Sequence, residues 1–242
     1  MSAAPSTAEA MGFCGFDFLV LDMEHVPVGV PEATDILRAI GCTAAAAVVR
    51  LAWNDRILVK RMLDAGATTL MIPFVQNASE AQAAVSYARY PPDGVRGVAG
   101  IHRASRYGTA AGYLARANAD VRLILQLETP AALASIGEIA AVPGVDALFV
   151  GPGDLSAAMG HLGDIEHETV QSALREVAAT AHAYRTPVGI VGPNPGMVSR
   201  FVDYGYDFVA ISSDMAMMTG QATAFLAALR GTTPAAPNSV AY

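Results

Sequence analysis

The sequence predicts a parallel α/β fold, either a barrel or a doubly wound sheet. Three observations predict it. Short apolar runs recur at residues 16–22, 44–51, 69–75, 121–128, 146–150, 187–191 and 208–212, as strands buried on both faces do. Stretches with helical spacing alternate with them, at 31–40, 57–65, 78–89, 113–118, 130–140, 169–184, 197–204 and 220–230. Ionisable side chains gather where several of the runs end. A doubly wound sheet normally carries a glycine fingerprint after its first strand, and neither GxGxxG nor GxxxxGK[ST] occurs. A barrel closes with eight strands; seven are visible here.

Each element has a local reason. Residues 1–9, MSAAPSTAE, are small and polar and read as a loose lead-in to one domain over 10–230. The run FDFLVL (16–21) is broken only by Asp17 and ends in Asp22, Glu24 and His25. The helix at 31–40 carries Ile36, Leu37 and Ile40 on one face. AAAAVVRL (44–51) brings Arg50 to a strand end, and the helix at 57–65 closes at Gly66. Tyr90-Pro91-Pro92 stops the helix at 78–89. Residues 93–109, rich in glycine and arginine, read as a long functional loop. VRLILQLE (121–128) precedes a helix opened by Pro130, and the strand at 146–150 runs into Gly151-Pro152-Gly153-Asp154. Residues 231–242 read as a disordered tail.

Composition narrows the classes. A chain of 242 residues suits a single barrel, and 53% hydrophobic against 15% charged residues supports a large core. The net charge of −7 and the lack of a basic patch speak against nucleic acid as a partner. No apolar run reaches the ~18 residues that read as a membrane span, and no signal peptide is evident. Cys14 and Cys42 lie in apolar surroundings without metal spacing and read as reduced core thiols of a cytoplasmic protein.

In parallel α/β folds the carboxyl ends of strands converge on one face, where ligands bind. Here that face would collect Asp22, Glu24 and His25, then Arg50, then Gln126 and Glu128, then Asp154. Glu128 and Asp154 suit a hard divalent cation such as Mg²⁺, which takes one or two carboxylates plus water and substrate oxygens; each is alternatively a cap for the helix that follows. The turn at Gly153 offers backbone N–H groups to an anion. Arg50 can grip a carboxylate or polarise a ketone, and His25 is the natural general base. That set matches proton abstraction and enolate stabilisation on an α-keto acid. His161, His167 and His182 read as surface residues. Trp53 and the methionines Met215, Met217 and Met218 read as core packing.

The motifs FDFLVLDMEH, VVRLAWND, RMLDAGATTLMIPFVQN, ARYPPDGVRGV, HRASRYGT, LILQLET and FVGPGDLS, spread from residue 8 to 218, closely resemble the HpcH/HpaI family of metal-dependent (class II) pyruvate aldolases. HRASRYGT and MGHLG look most like 2-dehydro-3-deoxyglucarate aldolases, with 4-hydroxy-2-oxoheptanedioate aldolases close behind. The resemblance implies a (β/α)₈ TIM barrel, a homohexamer and a divalent ion (Mg²⁺, Mn²⁺ or Co²⁺). It implies that Glu128 and Asp154 ligate the metal, which the pyruvate moiety chelates. Gly153 and Asp154 amides would hold the pyruvate carboxylate, Arg50 the enolate oxygen, and Gln126 would line the site. His25, oriented with Asp22, would shuttle the proton through a metal-bound water, with Glu24 as an orienter. Arg103 would meet the carboxylate end of the aldehyde partner. Family members begin with a further strand, a short helix and a glycine-containing loop. This chain starts too late to hold that strand, so the expectation is a barrel lacking the family's first strand through a truncated gene model.

The expected reaction is reversible, metal-dependent cleavage of a 4-hydroxy-2-oxo acid to pyruvate and an aldehyde. The alternatives are a carbon–carbon lyase acting on a CoA ester, to which the acidic charge lends little support, and a truncated, non-catalytic barrel subunit.

Overall fold

The computed structural model describes residues 2–233. Its sheet holds seven parallel strands in chain order: β1 (Phe18–Asp22), β2 (Ala46–Arg50), β3 (Thr69–Ile72), β4 (Arg122–Leu127), β5 (Ala147–Val150), β6 (Val188–Gly192) and β7 (Phe208–Ile211). Every neighbouring pair is parallel, which the intervening helices make possible. The edges β1 and β7 are not paired with each other among the described residues. Their first rings nevertheless meet, Phe18 against Phe208 at 6.0 Å and edge-on. Phe208 also packs on Phe149 of β5 at 6.0 Å. The sheet therefore curls into a nearly closed barrel of the (β/α)₈ type. Gly189 on β6 makes room for this aromatic layer: a Cβ there would sit 2.2 Å from the Phe208 ring. A cavity of about 240 Å³ follows the β1–β7 gap, lined by Met11, Leu19, Val20, Val209 and Met217 among others.

The helices are α1 (Pro5–Gly12), α2 (Val30–Ile40), α3 (Arg56–Asp64), α4 (Ala78–Ala88), α5 (Tyr113–Asp120), α6 (Pro130–Ala134), α7 (Ile136–Ala140), α8 (Pro152–Ala158), α9 (Glu168–Ala183), α10 (Pro195–Asp203) and α11 (Asp214–Arg230). Their starts follow from local chemistry. Asp55 accepts the N–H groups of Ile57 (2.9 Å) and Leu58 (2.8 Å) at the start of α3, and Asn77, Thr129 and Asn194 cap α4, α6 and α10 in the same way. α2 buries Ala33, Ile36, Leu37 and Ile40, one helical stripe. The core lies between such stripes and the central strands, where Leu70, Leu125, Leu148 and Ile190 are fully buried. Each such side chain contributes about 1.5–3 kcal/mol by leaving water.

Three expectations are corrected. The lead-in at 1–9 is not loose: Pro5 opens α1, which packs on α2, and a Cβ on Gly12 at its end would lie 2.5 Å from Oγ1 of Thr43 in the turn after α2. Small residues permit that approach, and the same small, polar composition disguised the helix. Cys14 and Cys42 are free but exposed, not core thiols. They follow the ends of α1 and α2, and their Sγ atoms bond carbonyls four residues back, at 3.4 Å each. The helix expected after the GPGD turn is α8, which starts at Pro152, so Asp154 lies inside its first turn and does not cap it. α11 begins at Asp214, capped by Ser213, so Met215 and Met217 are half-buried on its first turns and Met218 is exposed. The expected tail falls mostly on residues 234–242, which lie outside the described residues. Among the described residues no helix is long and apolar enough to cross a membrane.

Candidate active site

Strand order brings the expected residues together. Asp22 and Arg50 are register partners at the ends of β1 and β2. Arg50 donates Nε to Asp22 Oδ1 (2.9 Å) and Nη2 to Oδ2 (2.8 Å), a two-pronged grip between buried groups. Asp22 Oδ1 also accepts the backbone N–H groups of Glu24 (3.0 Å) and His25 (3.4 Å). Burial alone would raise the Asp22 carboxyl, but the bonds from Arg50, Glu24 and His25 outweigh it and hold the group below the ordinary carboxylate range.

The remaining edge of Arg50, Nη1, lies 3.2 Å from Glu24 Oε2, and that same oxygen is 3.7 Å from His25 Nε2. Glu24 therefore bridges the arginine and the histidine. Burial raises its pKa, which Arg50 and His25 only partly offset and to which Asp22 and Asp154 add. Asp22 does not orient the His25 ring as the sequence resemblance implied. Its carboxylate is spent on Arg50, and the turn after it aims His25 outward, with its side chain 48% exposed.

Glu128 follows β4 and is fully buried. Oε2 accepts the N–H of Phe74 (2.9 Å), and Oε1 accepts from the Gln126 side-chain amide. No ion pair among the described residues includes Glu128. A buried carboxylate in that condition is costly, and such groups are normally paired or bound to metal. Burial, with help from Glu24 and Asp154, accordingly pushes Glu128 up to about 7 despite the Gln126 and Phe74 bonds. Gly151 makes the slot possible: a Cβ there would lie 2.5 Å from Glu128 Oε1. Beside it Gln126 Oε1 is buried and accepts no hydrogen bond.

Asp154 lies in the first turn of α8, half-buried, and it acts electrostatically on both Glu24 and Glu128. The Gly153 and Asp154 amides occupy the same turn, where no helical carbonyl precedes them. Among the described residues there is no group of three or more His, Cys, Asp or Glu side chains set as a metal cage. Two carboxylates, one of them buried without an ion pair among the described residues, and an orphaned amide oxygen do fit a cation such as Mg²⁺, which fills its other positions with water and substrate oxygens.

Arg103 is not brought into this cluster. Its Nη1 donates to Ala65 O (2.8 Å), just past α3, at the amino ends of the strands and so opposite the site. The loop that carries it is pinned from beneath. Arg96, buried, donates Nη2 to Asp64 Oδ1 (2.7 Å) and lies 4.3 Å over the Tyr90 ring. Two residues that the sequence reading assigned no site role do stand at the mouth. Trp53 is 57% exposed, not core, and stacks on Phe74 at 6.1 Å. Phe74 has φ 54°, and nothing in its sequence context announces that.

An arginine, a histidine and several carboxylates at the carboxyl ends of parallel barrel strands define a barrel enzyme with its site at the usual mouth. The chain matches the HpcH/HpaI aldolase/citrate lyase family over residues 1–220. It belongs to that family, and so to the carbon–carbon lyases. It is 53% identical to 2-dehydro-3,6-dideoxy-6-sulfogluconate aldolase of Pseudomonas putida over 241 residues, 100% of this chain and 94% of that one. It is 44% identical over 213 residues to 5-keto-4-deoxy-D-glucarate aldolase of Salmonella arizonae, covering 88% of this chain and 83% of the relative. The crystal structure of an HpcH/HpaI aldolase/citrate lyase family protein from Burkholderia cenocepacia superimposes with a TM-score of 0.92 at 39% identity, over 95% of this chain and 91% of that one.

Proposed function

We propose that the protein cleaves a 4-hydroxy-2-oxo acid reversibly into pyruvate and an aldehyde, with a divalent cation held by Glu128 and Asp154. The observation that carries the reading is Glu128: a fully buried carboxylate that forms no ion pair among the described residues, in a slot that only a glycine at 151 leaves open. The cation, Mg²⁺, Mn²⁺ or Co²⁺ by family resemblance, would supply Lewis-acid polarisation of the keto group.

The chain's own groups do the rest. The Gly153 and Asp154 amides receive the substrate carboxylate at a positive helix end. Arg50 is locked by Asp22, so its Nη1 edge stays aimed at the site, where it meets negative charge developing on the enolate oxygen. Gln126 lines the site with its unpartnered oxygen. His25, exposed and beside Glu24, takes the proton from the substrate 4-hydroxyl and returns one to the pyruvate carbon. Glu24 keeps the histidine and the arginine in register with each other.

The aldehyde portion follows from the relatives. Candidate substrates are 2-dehydro-3-deoxyglucarate, 4-hydroxy-2-oxoheptanedioate and, given the 53% identity, 2-dehydro-3,6-dideoxy-6-sulfogluconate. All three carry an anionic far end, and Arg103 of the same chain is not placed to meet it. Pyruvate release from each, with and without EDTA, tests the proposal. EDTA-sensitive release from one of them supports it; release that EDTA leaves intact removes the cation from the account.

The same reading includes a homo-oligomer, a hexamer by family resemblance. What supports an assembly is α11, which buries only Ala227 and exposes Met218, Phe225, Leu226 and Leu229. Apolar surface of that kind marks an interface.

A further inference from the structure

Phe74 lies just past β3 with φ 54°, a left-handed conformation that a bulky side chain rarely adopts. Such strain persists only when the surroundings over-determine it. Here three consecutive residues are tied to the end of β4. Phe74 N–H donates to Glu128 Oε2 (2.9 Å), Val75 N–H donates to Gln126 O (3.2 Å), and the Gln76 side chain accepts from Thr129 Oγ1.

The fourth restraint comes from the other side. Trp53 follows β2 and lays its indole on the Phe74 ring, with centroids 6.1 Å apart and planes 27° apart. The loop that carries it is anchored in turn, because the next residue, Asn54, donates Nδ2 to Glu80 O in α4 (3.0 Å). Core packing does not account for an indole that is 57% exposed. A pair of aromatic rings held from two strands does account for it, because the stack fixes the direction of the Phe74 amide.

We propose that the Trp53–Phe74 stack is a positioning device for Glu128. It holds Phe74 in the conformation that aims its N–H at Oε2, and so presents the carboxylate to a cation in one orientation. The inference rests on the reading of Glu128 as a cation ligand. Trp53 and Phe74 are positioning residues and need touch neither substrate nor cation. Groups that orient a metal ligand typically change metal affinity 10–100-fold when removed.

The test is Mn²⁺ affinity, measured calorimetrically on the wild type and on Trp53→Ala, Trp53→Phe, Phe74→Ala and Glu128→Gln, with thermal melts as fold controls. Trp53→Ala and Phe74→Ala should each weaken Mn²⁺ binding by about tenfold, while Trp53→Phe, which keeps a ring on Phe74, stays within about twofold of the wild type. Wild-type affinity in Trp53→Ala, alongside weakened binding in Glu128→Gln, overturns the stack alone. Equal weakening in Trp53→Ala and Trp53→Phe also overturns it, since the ring would not be what matters. A wild type that binds no Mn²⁺, or a Glu128→Gln variant that binds it as tightly, overturns both the cation ligand and the device built on it.

Discussion

Asp22 and Arg50 sit side by side at the ends of adjacent strands and share two hydrogen bonds, at 2.9 and 2.8 Å, with both side chains buried. The pair turns a flexible guanidinium into a fixed one. Removing the carboxylate leaves a buried cation with Glu24 as its one remaining ion-pair partner among the described residues. Breaking a buried pair from one side costs about 3–5 kcal/mol. Asp22→Ala should therefore lower unfolding stability by roughly 3 kcal/mol, read from urea denaturation, and reduce kcat far more than it changes KM. A stable, fully active variant would contradict the role given to the pair.

The same pair sets an acid limit. The Asp22 carboxyl is depressed in the folded state, so its contribution to stability is present above the unfolded value, about 3.9, and is lost as pH falls through the folded value. Stability of the wild type should drop below about pH 4. Asp22→Asn should flatten that limb; an unchanged limb would show that other carboxylates control it.

Glu128 has the opposite sign. Its folded value is raised from 4.5 to about 7. The stability associated with its protonated form is present below 4.5 and lost as pH rises through about 7. EDTA-treated protein should lose melting temperature across that window, and Mn²⁺ should restore more of it at pH 8 than at pH 5.5. Equal restoration at both pH values would mean that the cation does not compete with the Glu128 proton.

Gly151 is predicted to be irreplaceable in the site, although the fold should survive its replacement. The added methyl of Gly151→Ala meets Glu128 Oε1 at 2.5 Å and must displace the carboxylate. Activity and Mn²⁺ affinity should each fall by at least about tenfold while the melting curve stays cooperative. Wild-type affinity would show that the carboxylate has room to move.

Arg103 is predicted to matter for stability and not for the aldehyde. Its bond to Ala65 O ties the long loop to the end of α3. Arg103→Ala should cost about 1 kcal/mol and leave KM unchanged in steady-state assays. A large rise in KM there would restore it to the substrate's far end.

The apolar face of α11 is predicted to join subunits. Phe225→Asp with Leu229→Asp should reduce the particle mass seen by light scattering without lowering helix content. Leu229 is 84% exposed, so nothing within the subunit should collapse. An unchanged mass would place the interface elsewhere.

Much of this was legible in the sequence, for a physical reason. A strand buried on both faces leaves an apolar run that any reader can find, and an ionisable group at its end stands out against it. Asp22, Arg50, Gln126 and Glu128 were visible in that way, and parallel order then brought them together. Features that depend on packing between distant segments were not. Arg103 lies in a loop whose course is set by Arg96 and Asp64, and no spacing rule encodes that course. The α1 helix is held by its packing against α2, which its own composition does not announce. The partner of the His25 ring depended on how the chain turns after Asp22, and the left-handed Phe74 on its ties to β4.

The most direct test of the central claim is pyruvate release by EDTA-treated wild type and Glu128→Gln, before and after Mn²⁺ is added back. Negligible release is expected from both without the cation, with recovery in the wild type and none in the variant although its fold is intact. Recovery in Glu128→Gln to the wild-type rate, or full release in EDTA, would contradict it.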